Sequence, residues 1–389
     1  MAAGEPPLPP TSSVEADGSA SGAPASSSHT LSPRSITAAD SAFAQEVVER
    51  INRARWQNSL PPLKRNANLD AAAAYHSQDM AVDNYFFHDS YNRVGGDLVF
   101  DRLWYERVGS YYTGWSLLGE CIAAGYTSPE AVVQGWLNSS GHRAVLLSSN
   151  YREIGSGYYY QASGSDYTTY WTTDYGCRSN VYPLVINLEA AMTDQRQVSL
   201  YVYGQGWATE MAFSNDGVNW TAWQPYSPNR TWTLPCGTGN KTVYVRLRNG
   251  SEEQVISDTI RLEGEEYRLR VGQNKMAFLY SIETGEIVPS PSQATSIENR
   301  GLSCDELGWE ADRTGDWFTV SPISQTTPFT LTVTPTDFLT ETQGIYTGTV
   351  TITATQPPEA SGSPQVVAVD LIVAERIYHT FVPLVVRSW

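Results

Sequence analysis

The stretch NSSGHRAVLLSSNYREIGSGYYY, residues 138–160, decides the fold class of the first folded region. It continues a predicted helix, SPEAVVQGWLNSSG, in which Ser128 is the N-cap, Pro129 the first helical residue and Gly141 the end. It then enters a tyrosine-rich strand, and the turn residues ASGSD join that strand to a second one, YTTYWTTDYG. A helix beside a hairpin predicts a mixed α and β domain, with His142 in a glycine turn after the helix.

Helical patterns upstream extend this domain back to about residue 36. The segment TAADSAFAQEVVERINRARWQ carries apolar residues on one helical face. NLDAAAAYHSQDMAVDNY predicts a second helix with Asn68 as N-cap and His76 on its apolar face. DLVFDRLWYERVG predicts a third helix that ends at Gly109. We therefore expect one α+β domain over residues 36–178.

Helical periodicity disappears from about residue 182. Short strands such as VSLYVYGQG, EMAFSNDG and KTVYVRLRN are separated by turns and predict a β-sandwich over residues 182–264. DWFTVSP, FTLTVTP, GIYTGTVTITAT and QVVAVDLIVA predict a second sandwich over residues 267–375. The expected fold class is multidomain α+β, with an α/β domain followed by two all-β domains.

Both ends of the sequence differ from these domains. Residues 1–35 are rich in Pro, Ser, Gly and Ala and predict a disordered linker. They contain neither a basic n-region nor an apolar h-region, so no signal peptide is predicted there. Residues 376–389 form an apolar tail that is shorter than the roughly 20 residues needed to span a bilayer. We expect no transmembrane segment.

Composition limits the classes of partner. The formal net charge is -16, which disfavours binding to the phosphate backbone of nucleic acid. The 12 Trp and 23 Tyr residues fit strand packing in β-sandwiches, and also fit sugar stacking on a cell-surface protein. Few lysines and Tyr-, Trp- and Thr-rich strands are typical of a secreted or cell-surface protein.

The four cysteines are widely spaced and form no C-x-x-C pair, so a zinc ribbon is not expected. Cys121 and Cys177 both lie in the α/β domain and could form a disulfide across its sheet. Free buried thiols are the alternative.

Three ionisable side chains of the α/β domain are candidates for a site. His88 follows the aromatic run NYFFHDS, Glu120 lies in LGECIAAGY, and His142 follows the fourth helix. Taken singly, each has an ordinary explanation, because histidines pack beside aromatics, strand glutamates are exposed, and histidines after helices cap carbonyl groups.

Longer segments carry a family resemblance, and they are VVERINRARWQNSLPPLKRNANLDAAAAYHSQDMA, NYFFHDS, LGECIAAGYTSPEAVVQGWLNSSGHRAVLL, NYREIGSGYYY and YWTTDYG. In order, spacing and residue type, residues 43–176 resemble the bacterial branch of the CAP superfamily, also called SCP-like. That superfamily groups cysteine-rich secretory proteins, antigen 5 and plant pathogenesis-related 1 proteins. The resemblance covers about a third of the chain.

The resemblance implies an α-β-α sandwich whose cleft holds two histidines and two acidic residues. By position, His88 and His142 match the histidines, and Glu120 matches the glutamate of the Gly-Glu-Asn motif. The sequence departs from the family pattern twice, because Ser139 stands where the second acid is usual and Cys121 replaces the asparagine. A full catalytic set is therefore not implied, and the catalytic residues stay unknown, with His88, Glu120 and His142 as candidates.

Two further positions are near this pattern. His76 also matches a common family position, and its place on an apolar helix face predicts a buried structural role. Glu153, in REIG, precedes the strand expected to pack the cleft, and an exposed charge at the start of a strand is the simpler interpretation.

Two converging imidazoles can hold a divalent cation, and zinc is the usual one for nitrogen ligands. His88 and His142 are the candidate metal ligands, and Glu120 could bind the cation directly or orient a bound water. The chain has no H-E-x-x-H, G-x-S-x-G or P-loop motif, so no nucleophile is predicted.

The leading hypothesis is a secreted or cell-surface protein whose cleft binds a cation or small ligand without catalysis. Its β modules resemble immunoglobulin-like or fibronectin-like and BACON modules and would hold it at the cell surface. Candidate partners of the protein are a small ligand, lipid, and cell-wall or extracellular carbohydrate. One alternative is a metal-assisted hydrolase, peptidase-like, acting on cell-wall or extracellular substrates. Another is an adhesion or scaffold protein with a vestigial cleft.

Overall fold

A four-stranded sheet between helices forms the first part of the computed structural model, which describes residues 38–336 and 342–378. The predicted linker, residues 1–35, and residues 379–389 of the predicted tail lie outside the described residues. The chain divides into two compact units. The first contains residues up to Thr193 together with Gln197–Leu234 and Asn240–Ile260, and the second contains the rest.

The α/β part of the first unit has five helices and six strands in the order that follows. They are α1 Ala38–Gln57, β1 Lys64–Arg65, α2 Ala67–Val82, β2 Ser90–Val94, β3 Asp97–Arg102, α3 Trp104–Tyr111, β4 Trp115–Ala124, α4 Pro129–Asn138, α5 Ser140–Leu146, β5 Glu153–Tyr160 and β6 Thr169–Arg178. The sheet order is β1-β5-β6-β4, with β1 parallel to β5 and the other pairs antiparallel. Strands β2 and β3 form a separate hairpin.

Apolar side chains fill both faces of this sheet. On one face, residues of α1 and α4 such as Val47 and Trp136 pack against Trp171 of β6. On the other face, α2 and α3 contribute Leu69 and Val108, which cluster with a buried strand residue of β4. The helices therefore lie on both sides of the sheet, as the expected α-β-α sandwich requires.

Turn chemistry explains where the predicted third helix was wrong. Residues 97–102 form strand β3, and the helix begins only at Trp104. Gly95 and Gly96 adopt positive φ values of 59° and 100°, which are the conformations that a two-residue hairpin turn requires. The Gly-Gly pair therefore turns the chain back on itself, and DLVFDR pairs with β2 instead of opening a helix.

The helix that precedes His142 also ends earlier than predicted. Ser128 is its N-cap as expected, accepting a hydrogen bond from the Ala131 amide at 3.2 Å, but α4 ends at Asn138. Gly141 lies inside the short helix α5, and so does His142. The N-cap of α2 is Asn66, whose side chain accepts from the backbone N–H of residues 68 and 69, and not the predicted Asn68.

The rest of the first unit is built mainly from short strands. They are β7 Leu184–Ile186, β8 Met192–Thr193, β9 Gln197–Val202, β10 Glu210–Ser214, β11 Gln224–Pro225, β12 Asn229–Thr233, β13 Gly239–Asn249 and β14 Glu252–Leu262, with a 3₁₀ turn at Asn187–Glu189. The two sheets have the orders β11-β10-β13-β14-β8 and β12-β9-β7. Trp220 and Trp223 lie half-buried under the guanidinium groups of Arg246 and Arg248, at 4.0 and 4.1 Å from the ring centroids.

The second unit contains two further sheets around one apolar core. Its strands are β15 Leu269–Val271, β16 Lys275–Ser281, β17 Ile287–Val288, β18 Gln293–Asn299, β19 Gly308–Thr314, β20 Phe318–Ser321, β21 Ser324–Thr326, β22 Phe329–Pro335, β23 Gly344–Gln356 and β24 Gln365–Ala374. Trp309, Trp317 and Phe318 are buried in the core. The sheet orders are β15-β18-β22-β20 and β17-β16-β24-β23-β19-β21.

The cysteine pairing differs from the expected one. Cys236 and Cys304 form a disulfide, whereas Cys121 and Cys177 are free. In the β4–β6 register Cys121 lies opposite Thr173, four residues from Cys177 along β6. Four residues of strand span about 13 Å, which is well beyond the reach of a disulfide.

Within residues 38–336 and 342–378, no helix is both long enough and apolar enough to cross a membrane.

Candidate functional site

A buried carboxylate holds a partly exposed imidazole at the centre of the site. His88 lies in the loop between α2 and β2, and its Nδ1 is 2.7 Å from Oε1 of Glu120. The His88 side chain is 46% exposed, whereas the Glu120 side chain is 1% exposed. Glu120 is in the middle of β4, so the strand fixes the carboxylate and the carboxylate orients the ring.

Arg107 of α3 holds the other side of this pair. Its guanidinium is buried and bonds Oε2 of Glu120. The same group donates to the backbone oxygen of His88 at 2.8 Å and to Oγ of Ser90 at 3.0 Å. Arg107 therefore positions both the carboxylate and the loop that carries the histidine.

Electrostatics keeps Glu120 ionised. Burial alone would raise the pKa of Glu120, but the charge of the Arg107 guanidinium outweighs it and lowers the pKa well below its ordinary range. Asp174, opposite Glu120 in the β4–β6 register, is also fully buried. Burial and the neighbouring Glu120 raise the pKa of Asp174 well above its ordinary range, so the negative charge of the pair resides on Glu120.

His76 has the buried position that its place on α2 predicts, with no exposed surface. Its Nε2 is 3.0 Å from the backbone oxygen of Phe87 and 4.0 Å from Oε1 of Glu120. Burial and then Arg107 lower the pKa of His76 to about 3, so the ring is neutral. His76 thus supports the loop that ends in His88 and does not face solvent.

His142 and Ser139 form the second pair. Ser139 is the N-cap residue of α5, and its Oγ is 2.9 Å from Nδ1 of His142 in the first turn. Burial and then the neighbouring His88 lower the pKa of His142. The structure therefore resolves the four predicted cleft residues as two pairs, His88 with Glu120 and His142 with Ser139.

Glu153 is not the exposed charge that its position at a strand start suggested. It is 3% exposed and accepts hydrogen bonds from Asn66 at 2.8 Å and from Arg178 at 2.7 and 3.0 Å. The hydroxyl of Tyr112 also donates to it. These contacts make Glu153 a structural link between α2, α3 and β6.

The side chains that could bind a metal ion are few in this region. Across the described ranges, no three or more His, Cys, Asp and Glu side chains are grouped to hold a metal ion. Both oxygens of Glu120 are already engaged by His88 and Arg107.

Sequence reasoning missed Arg107 and Asp174. Arg107 lay in a segment whose helix was predicted too long, so its face could not be assigned. Asp174 is the one acid in the strand YTTYWTTDYG, and a lone acid in an apolar and threonine-rich strand was the signal that could have identified it.

The part of the chain that contains this site is similar to known proteins. Residues 48–175 match the model of the Cysteine-rich secretory protein family, CAP. The "Uncharacterized protein YkwD" of Bacillus subtilis (strain 168) is 37% identical over 149 residues, which are 38% of this chain and 54% of that protein. The "Uncharacterized membrane protein YlbC" of the same strain is 34% identical over 113 residues, 29% of this chain and 30% of that protein.

A solved structure is also similar. The extracellular protein containing a SCP domain from Bacillus anthracis str. Ames is 30% identical, with 39% of this chain and 45% of that chain covered and a TM-score of 0.32. The chain spans about half the length of YkwD and a smaller share of the other two proteins.

Proposed function

The chain carries a bacterial CAP domain over residues 48–175, and from this premise we propose that it acts outside the cell as a binding protein. Its cleft binds a divalent cation, with zinc as the preferred ion, through one nitrogen each of His88 and His142. It turns over no substrate.

One observation carries this proposal, namely that an oxygen atom of the protein holds Nδ1 of each ring. Glu120 holds His88 at 2.7 Å and Ser139 holds His142 at 2.9 Å. Within the described residues, Nε2 of neither ring has a hydrogen-bond partner. A ring whose Nδ1–H donates to an oxygen presents Nε2 as a metal ligand, and this arrangement recurs around protein-bound zinc.

The chemistry of the remaining groups supports binding rather than catalysis. Glu120 is fully engaged, so it orients His88 and leaves the cation with two protein nitrogens. A cation bound by two nitrogens keeps positions for exchangeable ligands, and it could bridge the cleft to a small ligand that carries a carboxylate.

The disulfide between Cys236 and Cys304 supports an extracellular location, because disulfides persist in oxidising compartments. We assign the strands after residue 182 to an immunoglobulin-like module and those after residue 267 to a BACON-like module. Surface attachment is the role proposed for these modules. A pull-down of the full chain with purified cell wall or mucin tests it, and absence of retention would remove it.

Equilibrium dialysis with zinc at pH 7.5 tests the cation site. We expect one zinc per chain, and a loss of at least tenfold in affinity for His88→Ala and for His142→Ala. Glu120→Gln should bind zinc about 10- to 100-fold more weakly, which is the range typical of groups that orient a metal-bound histidine. Arg143→Ala, an exposed neighbour of His142, is the matched control and should bind as tightly as the natural chain. Equal binding by the natural chain and a His88→Ala/His142→Ala double variant would refute the site.

A hydrolase is the second candidate, and the 2.9 Å contact between Ser139 Oγ and His142 Nδ1 favours it. A serine bonded to a histidine base is the starting geometry for nucleophilic catalysis. In residues 38–336 and 342–378 no carboxylate bonds the other nitrogen of His142, so the third group of a triad is not in place. Turnover of a peptide and ester panel, abolished by Ser139→Ala with zinc binding intact, would replace the binding proposal.

A further inference from the structure

Three consecutive residues after β7 adopt a costly backbone conformation. Asn187, Leu188 and Glu189 have φ values of 44°, 60° and 68°, in the left-handed region. Residues other than glycine there cost on the order of 1–2 kcal/mol each. The surrounding contacts must hold this segment in place, and it lies about 100 residues after His88 in the sequence.

Helix α1 binds the backbone of this turn. The Leu188 oxygen accepts from Nδ2 of Asn52 at 3.2 Å, and the Glu189 oxygen accepts from Nε2 of Gln45 at 2.6 Å. Asn52 also bonds the backbone of Leu63 in both directions, at 2.7 and 2.9 Å. The turn is therefore held by hydrogen bonds from Asn52 and Gln45, and Asn52 is itself held by the backbone of Leu63.

The Glu189 carboxylate enters a buried cluster of charges. Lys64 of β1 donates to its two oxygens at 2.9 and 3.2 Å, and the backbone N–H of Arg65 donates at 3.1 Å. Lys64 also bonds Asp258 of β14, and Asp258 accepts from the Ile186 amide at 2.8 Å. The Glu189 and Asp258 side chains are 7% and 8% exposed. The Lys64 ammonium group thus forms ion pairs with two buried carboxylates.

The other charged groups around Glu189 do not offset its charge. The Arg65 guanidinium bonds Asp70 at 2.9 Å and also Gln45. Glu49 of α1 accepts from the Ala191 amide at 2.9 Å and adds a further negative charge nearby. A buried pair of carboxylates with one cation is expected to retain a proton, because an uncompensated buried charge is costly.

We propose that Glu189, Asp258 and Lys64 form a pH-sensitive latch that keeps the turn at residues 187–189 seated on α1 and β1. While the Glu189 carboxyl group is protonated, the charges of Lys64 and Asp258 balance each other and the turn stays seated. When that proton is lost, the second negative charge releases the turn. A cavity of about 300 Å³ lined by these residues gives water access to the released carboxylate.

The direction of the pH dependence follows from the shift of Glu189. Burial and then Asp258 raise the pKa of Glu189 from 4.5 to about 8. A carboxyl group with a raised pKa in the folded state stabilises fully below its unfolded pKa and loses that contribution as the pH rises. The latch is therefore tightest below about pH 4.5 and weakens as the pH rises through about 8.

Hydrogen exchange of the full chain between pH 5 and 9.5, corrected for intrinsic exchange rates, tests the latch. Protection of the amides of residues 184–202 should fall progressively from pH 5 to about pH 8, by at least tenfold in total, and change little above that. Amides of β5 and β6 should stay protected and serve as the internal reference. In Glu189→Gln, which is neutral at every pH and still accepts from Arg65, protection should not change with pH.

Glu46→Gln is the matched control, because Glu46 also lies on α1 but pairs with Arg50, and this variant should keep the natural pH dependence. Asp258→Asn repeats the test on the second carboxyl group and should also remove the dependence, so the result does not rest on one variant. Constant protection in the natural chain, or an unchanged loss in both Glu189→Gln and Asp258→Asn, would overturn the proposal. Zinc binding is not part of this measurement, so the latch and the cation site can fail separately.

Discussion

Arg107 shows at the scale of one residue why part of the site was visible in the sequence and part was not. His88, Glu120 and His142 stand in motifs, so a resemblance could identify them. Arg107 stands in no motif, and its role depends on α3 being placed behind β4 with the guanidinium directed at Glu120. That placement is a tertiary property, which local sequence patterns do not contain.

Replacing Arg107 by Met should be strongly destabilising. The change removes the cation from a buried pair and leaves Glu120 without its main partner, which typically costs about 3–5 kcal/mol. Urea denaturation followed by fluorescence measures the free energy of unfolding. Arg50→Met is the control, because the Arg50–Glu46 pair is a partly exposed i,i+4 pair and should contribute about 0.5 kcal/mol or less. Equal effects of the two substitutions would contradict the central role of Arg107.

At the scale of elements, the α/β layer was predicted well where periodicity extends over many residues. Helices α1, α2 and α4 and the β5–β6 hairpin all occur close to their predicted positions. Errors arose at short segments, where the Gly95–Gly96 turn converted a predicted helix into β3, and where α5 formed from residues expected in a turn. In such segments turn geometry and packing outweigh helical propensity.

Close packing between α2 and β5 depends on glycines in the strand. A Cβ added at Gly157 would lie 2.3 Å from backbone atoms of Ala73 and Ala74. Gly157→Ala should therefore lower the free energy of unfolding by about 1–3 kcal/mol or more, because helix backbone cannot move aside easily.

Gly141→Ala is the matched control for this prediction. An added Cβ there has nothing within 4 Å, and the residue lies in helix α5. We expect a gain of about 0.4–1 kcal/mol in the free energy of unfolding. Denaturation of both variants under one condition checks the pair, and destabilisation by Gly141→Ala alone would reverse our interpretation of both positions.

At the scale of the whole molecule, the sequence indicated that the chain after residue 182 is rich in β-strands, but it did not indicate which strands pair. The predicted domain boundaries and the module identities stay predictions. The disulfide could not be chosen from the sequence, because four cysteines allow three pairings and only strand register excludes Cys121–Cys177.

Removing the disulfide should loosen the second unit. Cys236 and Cys304 are separated by 68 residues, and closing a loop of that size typically stabilises by about 2–4 kcal/mol. The double variant Cys236→Ser/Cys304→Ser should lose that amount in chemical denaturation, while Cys177→Ser should stay within about 0.5 kcal/mol of the natural chain. Zinc binding at His88 should be retained in both. No difference between the double variant and Cys177→Ser would show that the cross-link contributes nothing to stability.

The contacts of the turn at residues 187–189 bear on how the α/β domain can be transferred to another protein. A shortened gene ending at residue 178 would remove the groups that satisfy Lys64, and would expose Asn52 and the Pro62 carbonyl that Tyr203 bonds at 2.9 Å. In the excised fragment these polar groups would lose their protein partners and face solvent. Chimeras that borrow this domain should carry the downstream sheet with it.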